Sequence, residues 1–339
     1  MAEATLADLG EGELIRRLAA FAPPGQLDDD AALLPDGAEP DGRTTSLVLN
    51  TDVLVDGVHF SDATTGPEDV GWRAAAANLS DLAAMGCSQV VGITVGLVAP
   101  GTTTWAWVEG VYRGLGAALA ASGGSLLGGD CSGGRQRVLA VSAVGRVAGG
   151  DVIRRGDGRP GDLLVATGPH GLSRLGLALL LKELEPAGLD RQLAARAIRA
   201  HQRPRPRFDA VAALIGCRPA GLPWRVGGCD SSDGLAAAAA AIGAASGCAA
   251  RLDRGALPLD PAMGGLAAAE AWCLGGGEDF ELVLALPPAW ALALVTALAG
   301  TTVVGALEAG IAGDLGWTSG EPWTCRATPN GGPGYRHFS

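Results

Sequence analysis

The chain has 339 residues, a formal charge of −11, 48% apolar residues and only 4% aromatics. That length suits two domains better than one, and the apolar share is ample for two cores. The acidic balance argues against a nucleic-acid surface, which needs clustered Lys and Arg, and a single lysine, Lys182, excludes both a GxxxxGK[ST] phosphate loop and the strand lysine of a protein kinase.

Any nucleotide phosphate must therefore be met by metal, backbone amides and arginine. The seven cysteines (87, 131, 217, 229, 248, 273, 325) show no CxxC or Cys/His spacing, so they read as reduced thiols. The start, MAEATLADLGEGEL, is acidic where a signal peptide is basic. Val90–Ala99 is too short to span a bilayer, and Leu235–Ala245 is Ala-rich rather than lipid-seeking. The expectation is a soluble, cytoplasmic protein without a membrane or nucleic-acid partner.

In chain order, apolar spacing predicts a helix over Leu6–Ala20, followed by the acidic loop GQLDDDAALL and a Pro/Gly/Asp-rich turn over Asp36–Thr45. Ser46–Val53 reads as a strand that leads into TDVLVDGVHF. PEDVGWRAAAANLSDLAAMG has Pro at its start, acids in its first turn and Gly at its end, which predicts a helix. Val90–Val98 and Val138–Val147 read as strands and Thr104–Ser122 as a helix between them, with SLLGGD before the second strand. Strand–helix–strand passages of this kind indicate an α/β layer domain. The composition changes near Ala148–Gly150, which sets domains of 1–149 and 150–339. In the second half the sequence predicts a strand at Leu163–Ala166 and helices over Gly171–Leu184, Asp190–Ala200 and Pro206–Ile215. A poly-Ala helix follows CDSSDGL, then a strand at Glu281–Leu286 and a helix at Pro288–Leu298.

Acids recur at the ends of Gly- or Ser-rich segments in both halves. They are Asp30 in LDDDAALL, Asp52 in NTDVLVDG, Asp81 in NLSDLAAMG, Asp130 in LLGGD, Asp230 and Asp233 in CDSSDGL, and Glu278 with Asp279 in GGGEDFEL. Carboxylates gathered without basic partners repel, so such a set is costly unless a cation neutralises it. Mg²⁺ takes carboxylate oxygens together with water and substrate phosphates. Each acid also has a plainer explanation. Asp81 lies mid-helix, where solvent alone can satisfy it, and Asp233 before Gly234 could simply cap the poly-Ala helix. Arg155 in RRGDGRPGD is suited to a nucleotide phosphate or to a surface turn. His59, between Val58 and Phe60, could meet a substrate or only a backbone carbonyl. Trp72, Trp105 and Trp107 read as core or interface.

Taken together and in order, DDAALL, TDVLVDGVHF, GWRAAAANLSDLAAMG, LLGGD, RRGDGRPGD, the segment His201–Arg207, DSSDGL, GGGEDFEL and the terminal GYRHF make the chain resemble the thiamine-monophosphate kinase family. That family sits in the superfamily of aminoimidazole ribonucleotide synthetase and selenophosphate synthetase. The resemblance implies an α/β, two-domain PurM-like fold. Its N-terminal domain would close strands with its twin into an intersubunit β-barrel in a homodimer, and a C-terminal α/β domain would complete the nucleotide site. It implies metal ligands at Asp30, Thr51, Asp52, Asp81, Asp130, Asp230 and Asp233, holding several Mg²⁺. It implies ATP contacts at Gly129, Asp130, Arg155 and Ser232, and acceptor contacts at His59, Glu278 and Tyr335.

The implied reaction moves the γ-phosphoryl of ATP directly onto the phosphate of thiamine monophosphate. That acceptor is already ionised at neutral pH, so no catalytic base is expected, and positioning with metal neutralisation suffices. Glu278 would suit the cationic thiazolium or the aminopyrimidine. The chain departs from the family at Leu27, Asn50, Ser231 and Ala121–Ser122. Asn50 stands where a Ser or Thr is common, and Asp29 could share the role of Asp30. The alternatives are a related ATP-using synthetase with a different substrate, or a non-catalytic nucleotide-binding protein that kept the fold.

Overall fold

A computed structural model describes residues 5–38, 44–185 and 188–323. Helix α1 (Leu6–Leu18) opens the chain with Thr5 and Asp8 forming a reciprocal capping box, and a 3₁₀ turn, Ala19–Phe21, extends it. Strands β1 (Ala32–Ala38) and β2 (Thr44–Val55), helix α2 (Pro67–Ala84), β3 (Gln89–Ala99), α3 (Trp105–Ser122), β4 (Ser125–Gly133) and β5 (Val138–Ala148) follow. The five strands form one sheet in the order β1-β2-β5-β3-β4, with only β3 and β4 parallel.

Period-two alternation decides what each face of this sheet does. Along β2, Val48, Asn50 and Leu54 are buried beneath the helical layer, whereas Leu49, Thr51 and Val53 are exposed on the other face. Helices α2 and α3 cover the buried face and touch backbone to backbone. A Cβ on Gly71 would lie 1.9 Å from the Val111 carbonyl oxygen, and one on Gly114 only 1.8 Å from that of Glu68. Val70, Leu79, Leu82, Val111, Leu115, Leu139 and Val141 fill the core between them.

The second unit contains β6 (Leu163–Ala166), α4 (Leu172–Leu180), α5 (Arg191–Gln202), α6 (Phe208–Gly216), β7 (Gly227–Asp230), α7 (Leu235–Ala245) and β8 (Ala249–Leu252). It ends with α8 (Ala269–Gly275), β9 (Leu282–Leu286), α9 (Pro288–Ala297), β10 (Thr302–Glu308) and β11 (Leu315–Trp317). Its six strands run in the order β11-β8-β10-β6-β9-β7. Leu282 to Leu286 are all buried, as befits a strand covered on both faces. One cluster, around Leu235, Ala239 and Val283, packs under α7, and another, around Leu214 and Trp290, packs under α6 and α9.

Several predicted elements shift at their ends. Helix α4 stops at Leu180 rather than Leu184, because Lys182 adopts a left-handed φ of +58°. The Pro/Gly-rich stretch expected as a turn begins as β1, which pairs antiparallel with β2 through an irregularity between Pro35 and Gly37. SLLGGD is strand β4, exposed along its whole length at the sheet edge. Of the tryptophans read as core or interface, Trp107 is buried, Trp72 packs partly buried against the same core and Trp105 is open to solvent. No helix among the described residues is long and apolar enough to cross a membrane.

Candidate functional site

Helix α2 belongs to the first sheet but carries much of the contact with the second unit. Ser80 Oγ donates to Asp230 Oδ2 at the end of β7 over 2.7 Å, Trp72 Nε1 donates to the Pro204 carbonyl over 2.7 Å, and Arg73 meets Glu278. At this seam the structure gathers most of the acids singled out in the sequence.

Asp52 leaves β2 on the helical side, and its backbone N–H donates to Asn78 Oδ1 of α2 at 3.0 Å. Asn50, two residues back on the same face, donates from Nδ2 to Asp81 Oδ2 at 2.6 Å. Asp30 arrives from the loop before β1 and is 8% exposed along its side chain. Asp230, 7% exposed, arrives from β7. Four chain segments thus bring carboxylates into one buried neighbourhood.

Their charges act on one another. Burial pushes Asp30 up to about 7, with the charges of Asp230 and Asp29 adding to the shift and Arg155 opposing it. Burial also raises Asp230, to about 6, with Ser80 opposing and Asp52 and Asp233 adding. Asp52 is raised by burial and by Asp30. Asp81 is raised well above its ordinary value by burial and then by Asp230, Asp52 and Asp30, against the hydrogen bond from Asn50. These carboxylates repel one another, and the basic side chain set against them is Arg155, which donates to Asp30. Asp29 instead serves the arginines, accepting from the Arg155 backbone N–H at 2.8 Å and from Arg154 Nη1 at 3.2 Å.

Such a donor set suits a hard divalent cation. It offers buried, mutually repelling oxygens, and Asn50 Oδ1 lies buried beside them with no hydrogen-bond partner. No three His, Cys, Asp or Glu side chains among the described residues converge into a ready cage. Mg²⁺ does not require one, since it keeps several waters and uses one or two carboxylates with substrate phosphates.

Other expected residues stand apart from this cluster. The Thr51 hydroxyl points to the open face of the sheet, 2.7 Å from Ser142 Oγ, so any oxygen it lends to Asp52's side must come from its main chain. Gly129 and Asp130 lie on the exposed edge strand β4. Asp52, Val141, Val95 and Gly129 form one transverse row across β2, β5, β3 and β4, which sets Gly129 roughly 14 Å from Asp52 at three strand spacings. Gly234, with φ +101°, occupies the N-cap of α7, so Asp233 is one position before it, beside Ser232 on an exposed turn at the rim of the cluster, from which its charge still acts on Asp230. Tyr335 and the GYRHF segment lie outside the described residues.

A second polar centre lies on the same helix. Glu278 has a left-handed φ of +57°, and its backbone N–H donates to the Ser232 carbonyl at 2.6 Å. Burial would raise its pKa, but Arg73 and His201 override it and hold the carboxylate below its ordinary range. His59 is half-buried, and its Nδ1 accepts the Val55 N–H at 3.0 Å.

Sequence reasoning missed Arg73, and the available signal was an arginine inside the otherwise apolar run WRAAAANL. It also grouped Asp279 with the candidate cation-binding acids, which the structure corrects, and it left Glu281 without a role. Asp279 accepts the Gly171 and Ser173 amides at 2.6 and 3.0 Å and so caps α4 from another segment. Glu281 holds Arg207 and accepts from Thr167 Oγ1 at 2.6 Å.

Comparison with known proteins places the fold and the family. Residues 28–147 match the family model for the AIR synthase related protein N-terminal domain, and 159–315 match that for its C-terminal domain. The thiamine-monophosphate kinase of Prochlorococcus marinus is 46% identical over 318 residues, covering 93% of each chain. That of Synechococcus elongatus is 47% identical over 298 residues, covering 88% of each. A solved structure of AaThiL complexed with AMPPCP and TMP superposes with a TM-score of 0.81 at 27% identity, covering 99% of this chain and 100% of that one. The fold is accordingly the two-domain PurM-like fold, α/β with two sheets. With near full-length identity of this order, the chain belongs to the thiamine-monophosphate kinase family.

Proposed function

We propose that this chain phosphorylates thiamine monophosphate to thiamine diphosphate, passing the γ-phosphoryl group of ATP directly to the acceptor's phosphate oxygen. The observation that carries this is the buried group Asp30, Asp52, Asp81 and Asp230, opposed by Arg155, at the seam between the two sheets. Near full-length relatives named for this activity support it.

The chemistry asks little of the protein beyond placement. A phosphate acceptor is anionic at neutral pH, so no general base is required, and the barrier lies in aligning two anions and neutralising their charge. Mg²⁺, when bound, supplies that neutralisation. Asp30, Asp52, Asp81 and Asp230 would hold it, with Asn50 Oδ1 as a further oxygen and with Thr51, Asp130 and Asp233 as the outer members of the set. Arg155 reaches nucleotide phosphate by exchanging its bond to Asp30, and Gly129, Asp130 and Ser232 offer the backbone and hydroxyl groups of the ATP site. His59, Glu278 and Tyr335 form the acceptor side. The proposed domain division is 1–149 and 150–339.

The working unit is a homodimer, in the cytoplasm. Leu49 and Val53 on the uncovered face of the first sheet, and Leu126 and Leu127 on its β4 edge, are all at least 36% exposed. An exposed edge strand beside apolar side chains is normally covered by a partner. A second copy closing that face into a barrel would meet this need and would bury Gly129 and Asp130.

Incubation with Mg-ATP and thiamine monophosphate, followed by chromatography, should yield thiamine diphosphate and ADP in equal amounts. ADP accompanied by free phosphate, with thiamine monophosphate unchanged, would sink the proposal.

A further inference from the structure

His59 and Glu278, the described residues placed on the acceptor side, are held by one side chain. Arg73 of α2 donates from Nη2 to Glu278 Oε1 at 2.5 Å and to the His59 carbonyl at 3.3 Å. From Nη1 it donates to the carbonyl of His201 at the end of α5. Arg73 is 3% exposed along its side chain, whereas Glu278 keeps 33% of its own open. Glu278 Oε2 stands 3.5 Å from His201 Nδ1, which in turn lies 3.2 Å from Ser173 Oγ. Three segments distant in sequence therefore converge on a single guanidinium.

Two physical facts give this convergence a purpose. A left-handed backbone is unfavourable for a residue with a Cβ, so the conformation of Glu278 persists only where its surroundings impose it. Arg73 and the Ser232 carbonyl are what hold it there. Further, a buried guanidinium needs a matched anion, and Glu278 is that anion. Its charge is already balanced within the protein, and what it presents to the open side is hydrogen-bond acceptance.

We propose that Arg73 is a positioning residue of the acceptor subsite: it aims the Glu278 carboxylate, balances its charge and pins the His59 turn. The subsite then selects its ligand by a hydrogen bond from a neutral donor, such as the amine of an aminopyrimidine, rather than by attraction to a positive ring. This rests on the acceptor assignment made above.

The test is steady-state kinetics with Mg-ATP and thiamine monophosphate on wild type, Arg73→Lys, Arg73→Met, Glu278→Gln and the double variant Arg73→Met/Glu278→Gln. Arg73→Met should raise KM for the acceptor by about tenfold or more while KM for ATP stays within about twofold, since the lost bonds are charge-assisted and all on the acceptor side. Arg73→Lys should recover part of the loss, being a point charge without the planar fork. The double variant should be no worse than Arg73→Met alone, because both changes break one unit. An acceptor lacking the pyrimidine amine should bind more weakly, whereas one with a neutral ring in place of the thiazolium should bind within about threefold of the parent, the charge being already balanced. Equal effects on both substrates, additive losses in the double variant, or strong dependence on the ring charge would overturn the proposal. If Arg73→Met does not fold, Arg73→Lys, Glu278→Gln and the two analogues decide. A wild type that forms no thiamine diphosphate would defeat the functional reading itself. An active wild type with an unaffected Arg73→Met would defeat only the role of Arg73.

Discussion

Helix α2 holds two buried polar centres that solve the problem of buried charge in opposite ways. Around Asp81 the charges are of one sign, and several carboxylates sit at raised pKa with Arg155 as counterweight. Around Arg73, eight residues earlier and about 12 Å along the axis, charge is matched within the protein and Glu278 is held ionised. An unmatched centre stores repulsion that a bound cation relieves, whereas a matched centre is rigid before any ligand arrives. On the proposed reading, one helix therefore carries a site that a cation completes and a site shaped for the acceptor. The link between them is the Ser232 carbonyl, which accepts the Glu278 amide in the loop that follows Asp230.

The contrast can be broken from the acidic side first. Asp52→Asn should lower turnover by about a thousandfold, because metal neutralisation supplies several kcal/mol of the barrier reduction. The same variant should melt no lower than wild type without Mg²⁺, since it removes repulsion. Near-normal turnover in a folded Asp52→Asn protein would remove Asp52 from the metal site.

The pH dependence of stability should also separate the centres. Asp30 and Asp230 have folded-state pKa values raised to about 7 and about 6, above the ordinary 3.8. The folded chain therefore keeps protons that the unfolded chain releases across this window, and the contribution of these groups is lost as pH rises through it. Without metal, the melting temperature should fall between about pH 4 and pH 7, and Mg²⁺ should raise it more at pH 8 than at pH 5. Stabilisation by Mg²⁺ that does not depend on pH would contradict the assignment. The smallest effect is expected at Ser80→Ala, which removes the hydroxyl that donates to Asp230. It should cost about 1 kcal/mol in denaturant unfolding at neutral pH.

Much of the scaffold could be read from residues alone, because helices such as α2 and α3 carry strong end signals and β2, β3 and β5 carry runs of β-branched residues. Short strands such as β7, whose residues are GGCD, and the short helix α8 have too little periodicity to announce themselves. The resemblance makes Thr51 and Asp52 neighbouring ligands of one set, but alternation along β2 puts their side chains on opposite faces, and the ladder shows that Thr51 meets Ser142. The acids stood out because they interrupt Gly- and Ser-rich turns. Arg73 did not, because a helical Arg is ordinary until the partners reaching it from other segments are known. Asp279 stood out with the other acids, but its work of capping a helix a hundred residues away in the chain shows only in the fold.

The division of labour on α2 is tested most directly by comparing the two Michaelis constants in Asp230→Asn and Glu278→Gln. Asp230→Asn should weaken Mg-ATP and leave the acceptor's KM near the wild-type value, and Glu278→Gln should do the reverse. If both variants weaken both substrates to the same degree, the two centres are one site and α2 does not divide the labour.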